Sequence, residues 1–238
     1  MSLRMTDPNL FDRFASTYSG TVNSAIRASG ESADFFAQLK TDHVRRVLGP
    51  ASPRSILDFG CGVGISTRAL ARSFPSAQVI GCDASSESIS AARGEAESMR
   101  RRIRFVVHGQ SGLPLDDSSV DVVFAGCVFH HIDAGGQAAW LRELRRVLAI
   151  NAPLFIFEHN PYNPLTLQVV KSCPFDEGVR LLRPRYAARL VRSAGFRVDR
   201  PHYYFFFPRM LRCLRPLERR LDWFPLGGQY YVVGWRDS

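Results

Sequence analysis

Lysine is nearly missing from this chain of 238 residues: of 31 basic side chains only Lys40 and Lys171 are lysine, and the rest are arginine. Also missing is any uninterrupted apolar run of about eighteen residues, so no segment reads as a membrane-spanning helix. Met1 to Leu10 is polar and lacks the apolar core of a signal peptide, which predicts a cytoplasmic protein. The cysteines (Cys61, Cys82, Cys127, Cys173 and Cys213) are odd in number and contain no C-x-x-C pair. That argues against a disulfide framework and against a structural zinc site, and no metal is expected. A reduced compartment is the natural setting. Internal repeats and low-complexity linkers are lacking too. What is present is an apolar content of 45% against 22% charged residues, enough to bury a sizeable core and to exclude disorder as the ruling state.

The formal net charge of +9 is unevenly placed. Between Arg180 and Arg220 twelve arginines face only Asp199 and Glu218, while the rest of the chain is close to neutral. Such a block attracts phosphates, nucleic acid or an anionic membrane surface, or it is simply a solvated face.

Periodicity divides the chain into alternating elements. Residues 1–50 read as a helical lid, with an amphipathic stretch around Phe11, Phe14 and Tyr18 and a helix from Ala33 to Leu48. Strands are predicted at Ile56 to Phe59, Gln78 to Cys82, Ile103 to His108, Asp121 to Cys127 and Pro153 to Phe157. Helices are predicted at Ser66 to Phe74, Ser86 to Arg100, Gly136 to Leu148 and Pro184 to Ala194. This alternation implies right-handed βαβ units in an α/β, doubly wound, mostly parallel sheet. Phe196 to Phe207 and Gln229 to Trp235 follow without a helical crossover and imply an antiparallel hairpin at the end. A single domain over 1–238 results, with a core at 51–160 and an acceptor-side and hairpin region at 161–238.

The sharpest motif is Asp58-Phe59-Gly60-Cys61-Gly62-Val63-Gly64, at the end of the first strand and the start of a helix. Glycines there let a ligand lie against the backbone. The spacing is G-x-G-x-G, not the G-x-G-x-x-G that seats a dinucleotide pyrophosphate. Asp83 ends the second strand, where a carboxylate can accept both ribose hydroxyls and repels a 2′-phosphate.

With these residues in place the chain resembles the class I S-adenosylmethionine-dependent methyltransferases, in particular the small-molecule branch that includes quinone-modifying enzymes. The resemblance runs from about Phe11 to Trp235 and is carried by Asp58 to Gly64, Asp83, and Gly109 through Leu113-Pro114 to Asp121-Val122-Val123-Phe124. It implies a Rossmann-like sheet of seven strands and S-adenosylmethionine as cofactor. Gly60, Gly62 and Gly64, with Asp58 and Cys61 in the same turn, would pass under its methionine part, and Asp83 with Ala84 would hold the ribose. Tyr18 matches a position that reaches the cofactor or staples the lid. Where the family often has an acid for the adenine amino group this chain has Gln110, whose carbonyl can still accept a hydrogen bond, with the Ser111 and Gly112 amides beside it. Cys127 would line the cofactor cavity, and nothing near it in sequence marks a nucleophile.

Methyl transfer is an in-line displacement that needs alignment and, for some acceptors, removal of a proton. Candidate bases lie past strands four and five: His130, His131, Glu158 and His159, each also readable as a structural group. Asn160-Pro161-Tyr162 is read as a turn, since it follows strand five and not strand four as an amino-methylating DNA enzyme would require. The segment to Glu177, with Cys173-Pro174-Phe175-Asp176, is expected to shape an acceptor pocket. Met210, Leu214, Leu217 and Leu221 form a stripe flanked by arginines, expected to break at Pro216 and either pack internally or meet a membrane through 209–223. The expected acceptor is a small or lipid-like molecule. An RNA or DNA methyltransferase, or a non-catalytic cofactor-binding protein, are the alternatives.

Overall fold

The computed structural model describes residues 20, 23 and 24, then 26–109, 112–176 and 178–238. The stretch around Phe11 and Tyr18, Gln110, Ser111 and Glu177 lie outside the described residues.

The sheet is built from β1 (Ser55–Phe59), β2 (Gln78–Asp83), β3 (Ile103–Val107), β4 (Val122–Gly126), β5 (Pro153–His159), β6 (Arg197–Val198), β7 (His202–Tyr204) and β8 (Gln229–Trp235). Its order is β3-β2-β1-β4-β5-β8-β6, with β7 also on β8. β1 to β5 pair in parallel, whereas β8 runs antiparallel to β5, β6 and β7. β6 and β7 occupy one sheet position, so the expected seven-position sheet is present with its outer strand in two short pieces. The order reverses between β1 and β4, which opens a crevice at their C-terminal ends.

The flanking helices are α1 (Ala33–Leu48), α2 (Ile65–Ser73), α3 (Ser86–Glu95), α4 (Ala134–Val147), α5 (Pro164–Ser172) and α6 (Pro184–Ser193). Their starts are fixed locally: Ser32, Ser85, Asp133 and Asn163 each accept a backbone N–H of the first turn. Caps of this kind stabilise a helix by about 1 kcal/mol each. On α4, Trp140, Leu141 and Leu144 are fully buried against the sheet as the three-to-four spacing requires. Burial of each such leucine stabilises by roughly 1.5–3 kcal/mol.

The structure departs from the sequence reading in three places. The helix expected over Ser86 to Arg100 ends at Glu95 and continues as a single 3-10 turn, Glu97–Met99. α5 was not expected: after the Asn160-Pro161-Tyr162 turn the segment to Glu177 was read only as shaping a pocket. Pro164 instead sits in the first turn behind the Asn163 cap, where its missing N–H costs nothing. The Arg209–Arg220 segment is wound as 3-10 turns with its non-helical kink at Leu211, and Pro216 lies inside the second piece without breaking it. Asn160 is the turn residue expected of it: fully buried, it donates from Nδ2 to the carbonyls of Pro225 and Gly227 and accepts from Tyr162 N–H. Among the described residues no helix is long and apolar enough to cross a membrane.

Candidate active site

One cavity lies over the reversal of strand order. It is lined by the glycine loop, by Lys40 on α1, by Asp83 and Ala84, and, at the other end, by Cys127, His131, His159 and Asp176. The loop turns because Gly60 and Gly62 take left-handed φ of 71° and 50°, a region that costs other residues. A Cβ at Gly60 would meet Val128, with their Cβ atoms 2.8 Å apart, while a Cβ on Gly62 would find nothing within 4 Å. The first glycine therefore serves packing, and the second keeps the cavity floor open.

Two acids stand behind this loop. Asp58 is buried and accepts the Thr67 hydroxyl at 2.6 Å. Burial lifts its carboxyl to about 7 against the pull of Thr67, with the charge of Asp83 adding to the rise and Lys40 opposing it. Asp83 accepts the backbone N–H of Gly62 at 2.8 Å on Oδ2 and of Ser85 at 3.0 Å on Oδ1. Burial raises its pKa against these amides. The Ala84 amide is a third partner, so of the carboxylate's about four lone-pair sites roughly one is left for a ribose hydroxyl. Asp58, Gly60, Cys61, Gly62, Asp83, Ala84 and Cys127 are thus brought to one cavity. Gly64 closes the loop as the α2 cap and packs near Phe105. Gly112 lies beside the Glu143 carboxylate and is not among the residues that line this cavity. The Leu113 amide beside it is spent on Glu143 Oε1 at 2.7 Å. Tyr18, Gln110 and Ser111 lie outside the described residues.

Lys40 was missed in the sequence, although a signal existed. It occupies the buried stripe of α1 between Phe36, Ala37 and Val44, where spacing calls for an apolar residue. With 8% of its surface exposed, its charge reaches both Asp58 and Cys127. Cys127 has a left-handed φ of 57° at the end of β4. Burial pushes its thiol up, but Lys40 and a hydrogen bond with His159 outweigh burial and hold it at about 7. The thiol that sequence left inert is thus partly ionised near neutrality.

The four candidate bases separate by position. Glu158 is fully buried; it accepts Phe129 N–H at 3.0 Å and holds His130 Nδ1 at 2.5 Å. It orients groups and does not line the cavity. His130 is buried behind it, with Nε2 3.2 Å from Asp176 Oδ1. Burial lowers its pKa, but Glu158 and Asp176 overcome this and raise it. His131 and His159 do line the cavity. Burial and neighbouring His130 depress His131 to about 3, so it is neutral. His159 is raised despite burial, by Cys127 and then Asp176. Asp176 meets His130 and His131, and against burial its carboxyl is held low chiefly by the hydrogen bond with His130 and then by the charge of His159. The sequence had placed Asp176 in a pocket-shaping segment without assigning it a role.

Known proteins resemble this chain in sequence and in fold. Residues 56–151 match the family model described as a methyltransferase domain. Over that stretch the chain is similar to methyltransferase domains. The malonyl-[acyl-carrier protein] O-methyltransferase of Legionella pneumophila subsp. pneumophila is 34% identical over 121 residues, which are 51% of this chain and 42% of that protein. The demethylmenaquinone methyltransferase of Porphyromonas gingivalis is 29% identical, covering 74% of this chain and 68% of that one. The chain spans about half the length of the first curated relatives it matches. In fold, the domain is similar to a SAM-dependent methyltransferase from Aquifex aeolicus, with a TM-score of 0.62, 17% identity and coverage of 96% of this chain and 98% of that one. The mostly parallel Rossmann-like sheet with an antiparallel C-terminal part is the fold they share.

Proposed function

We propose that this chain, acting as one domain, is an S-adenosylmethionine-dependent methyltransferase for a small-molecule acceptor. The observation that carries the reading is the single cavity joining the glycine loop and Asp83 to His131, His159 and Asp176. When bound, S-adenosylmethionine supplies an electrophilic methyl group on a sulfonium. The chain's own residues fit it: Gly62 leaves open space above the loop, Asp83 keeps acceptor capacity for a ribose hydroxyl, and Lys40 offers a buried cation to a carboxylate. Adenine recognition is assigned to Gln110, which offers a neutral acceptor in place of the acid.

At the far end His159 is the proton acceptor. It faces the cavity, and the Cys127 and Asp176 anions stabilise its protonated form. Glu158 and His130 act behind it as positioning groups. The lining between the two ends includes Ile26, Phe36, Val128 and Val169, an apolar wall suited to a small, partly apolar acceptor. The relatives named above for malonyl-[acyl-carrier protein] and demethylmenaquinone fit that class, and a nucleic-acid acceptor is not favoured.

A second reading concerns location. The segment 209–223 does not bury its stripe: Met210 is 90% exposed and Trp223 62% exposed, with Leu217 also exposed. Arginines flank them, so the protein would rest on an anionic membrane surface through that segment. The test of the main reading is isothermal titration with S-adenosylhomocysteine and with NAD. Saturable binding of the first alone is expected; binding of NAD alone would end the reading.

A further inference from the structure

The geometry points to a divalent transition-metal site at the acceptor end of the cavity, formed by His130 Nε2, His131 Nε2 and Asp176 Oδ1. These three atoms lie within 4.8 Å of one another. Asp176 Oδ1 stands 3.2 Å from His130 Nε2 and 3.4 Å from His131 Nε2. Those spacings are longer than a charge-assisted hydrogen bond of about 2.7–2.9 Å. They match the edge of a tetrahedron with metal–ligand bonds of about 2.0–2.2 Å, which is roughly 3.3–3.6 Å.

Three further observations agree. Glu158 holds His130 Nδ1 at 2.5 Å, which orients the ring with Nε2 toward Asp176. That is the carboxylate–histidine–metal arrangement, in which the outer carboxylate fixes the tautomer and raises the ligand's basicity. Second, the side chains of Glu158 and His130 are 0% exposed, with those of His131 at 9% and Asp176 at 10%. Two carboxylates withdrawn from water need positive charge beside them. Third, His131 and Asp176 line the cavity while His130 stands behind them, so the set has one closed side and one side open to the acceptor. Three protein ligands with an open position are the pattern of sites that act on a bound oxygen.

Two imidazoles and one carboxylate favour zinc, cobalt or iron(II) over magnesium. Resting on the methyltransferase reading, the open position would take a hydroxyl or carboxylate oxygen of the acceptor and fix it for attack. The ion's binding itself does not depend on that reading. Sequence could not show the site, since Asp176 lies on a separate 3-10 turn, Pro174–Asp176, far along the chain from the histidine pair.

The test uses the full chain, stripped with a chelator and titrated with zinc chloride by calorimetry and with cobalt(II) by visible absorption, without any S-adenosyl compound. One ion per chain is expected, with cobalt bands of four- or five-coordinate intensity and no competition from magnesium. Asp176→Asn and His131→Gln should each weaken zinc binding at least tenfold, and Glu158→Gln about 10–100-fold as an outer partner. Cys127→Ser should bind zinc as the wild type does. No stoichiometric zinc binding, or binding unchanged in both Asp176→Asn and His131→Gln, overturns the site. Zinc binding with these losses in a chain that ignores S-adenosylhomocysteine would keep the site and discard the methyltransferase reading. Circular dichroism of each variant separates loss of a ligand from loss of fold.

Discussion

Asp83 at the end of β2 accepts the backbone N–H of Gly62 at 2.8 Å, so the acid and the glycine loop form one hydrogen-bonded unit. The carboxylate fixes the loop whose open face would carry the cofactor, and it does so with only part of its acceptor capacity.

Replacement of Asp83 by alanine should therefore act twice, releasing the loop and removing the ribose partner. S-adenosylhomocysteine affinity should fall by about 1–3 kcal/mol, the usual loss of a charged hydrogen-bond partner. Calorimetry on folded protein measures it. Unchanged affinity would show that the ribose lies elsewhere.

Gly60 and Gly62 should respond differently to alanine. At Gly60 the left-handed backbone costs roughly 1–2 kcal/mol, and the new methyl overlaps Val128. At Gly62 only the backbone cost applies, but the methyl enters the cavity. Urea denaturation should show Gly60→Ala as the less stable variant, and S-adenosylhomocysteine titration should show Gly62→Ala as a folded, weak binder. Equal behaviour in both assays would refute the division of labour.

Asp58 gives the apoprotein a pH signature. Burial lifts its folded pKa to about 7, above the ordinary carboxylate range, so the folded chain holds this proton more tightly than the unfolded one. That contribution is complete below the unfolded pKa and is lost as pH rises through about 7. In Asp58→Asn it disappears. Urea midpoints collected from acid to neutral pH should fall more steeply for the wild type than for the variant; parallel curves would contradict the assignment.

Cys127 should alkylate with a pH midpoint of about 7, since Lys40 and His159 oppose the effect of burial. Iodoacetamide followed by peptide mass spectrometry reads this thiol separately from exposed Cys213. Lys40→Met should move the midpoint upward, and S-adenosylhomocysteine should protect the residue. A midpoint in the ordinary thiol range in the wild type would remove Lys40 from the site.

For the 209–223 segment, co-sedimentation with vesicles should require anionic lipid and be lost in Met210→Glu and Trp223→Glu. These two positions are preferred because they are the most exposed apolar side chains of the segment. An oligonucleotide arm distinguishes the alternative: RNA binding that survives both substitutions and falls steeply with salt would mark a nucleic-acid surface.

The strands and most helices could be read from the sequence because their signals are local. The Asp58–Gly64 loop lies between a short apolar run and a helical pattern, and Asp83 ends the next run. Local signals failed where the deciding contact is distant. Lys40 meets Cys127 only across the cavity, and Asp176 meets the histidine pair only after α5 and its following turn bring it back. α5 went unread because a proline such as Pro164 marks both turns and first helical turns. The Met210 to Leu221 stripe had helical spacing, yet its backbone winds more tightly, and Met210, Leu214 and Leu217 stay exposed while Leu221 is half-buried.

The placement of β8 has a consequence for synthesis. It follows β6 and β7 in the chain but lies between them and β5 in the sheet. While a ribosome extends the chain, β5 must remain an open edge, and β6 and β7 have no partner, until residues 229–235 emerge. An unpaired β5 carrying Leu154, Phe155, Ile156 and Phe157 is a sticky edge during that interval. A nascent chain stalled before Gln229 should thus bind chaperones or aggregate, while the parallel half from β1 to β4 can already have paired.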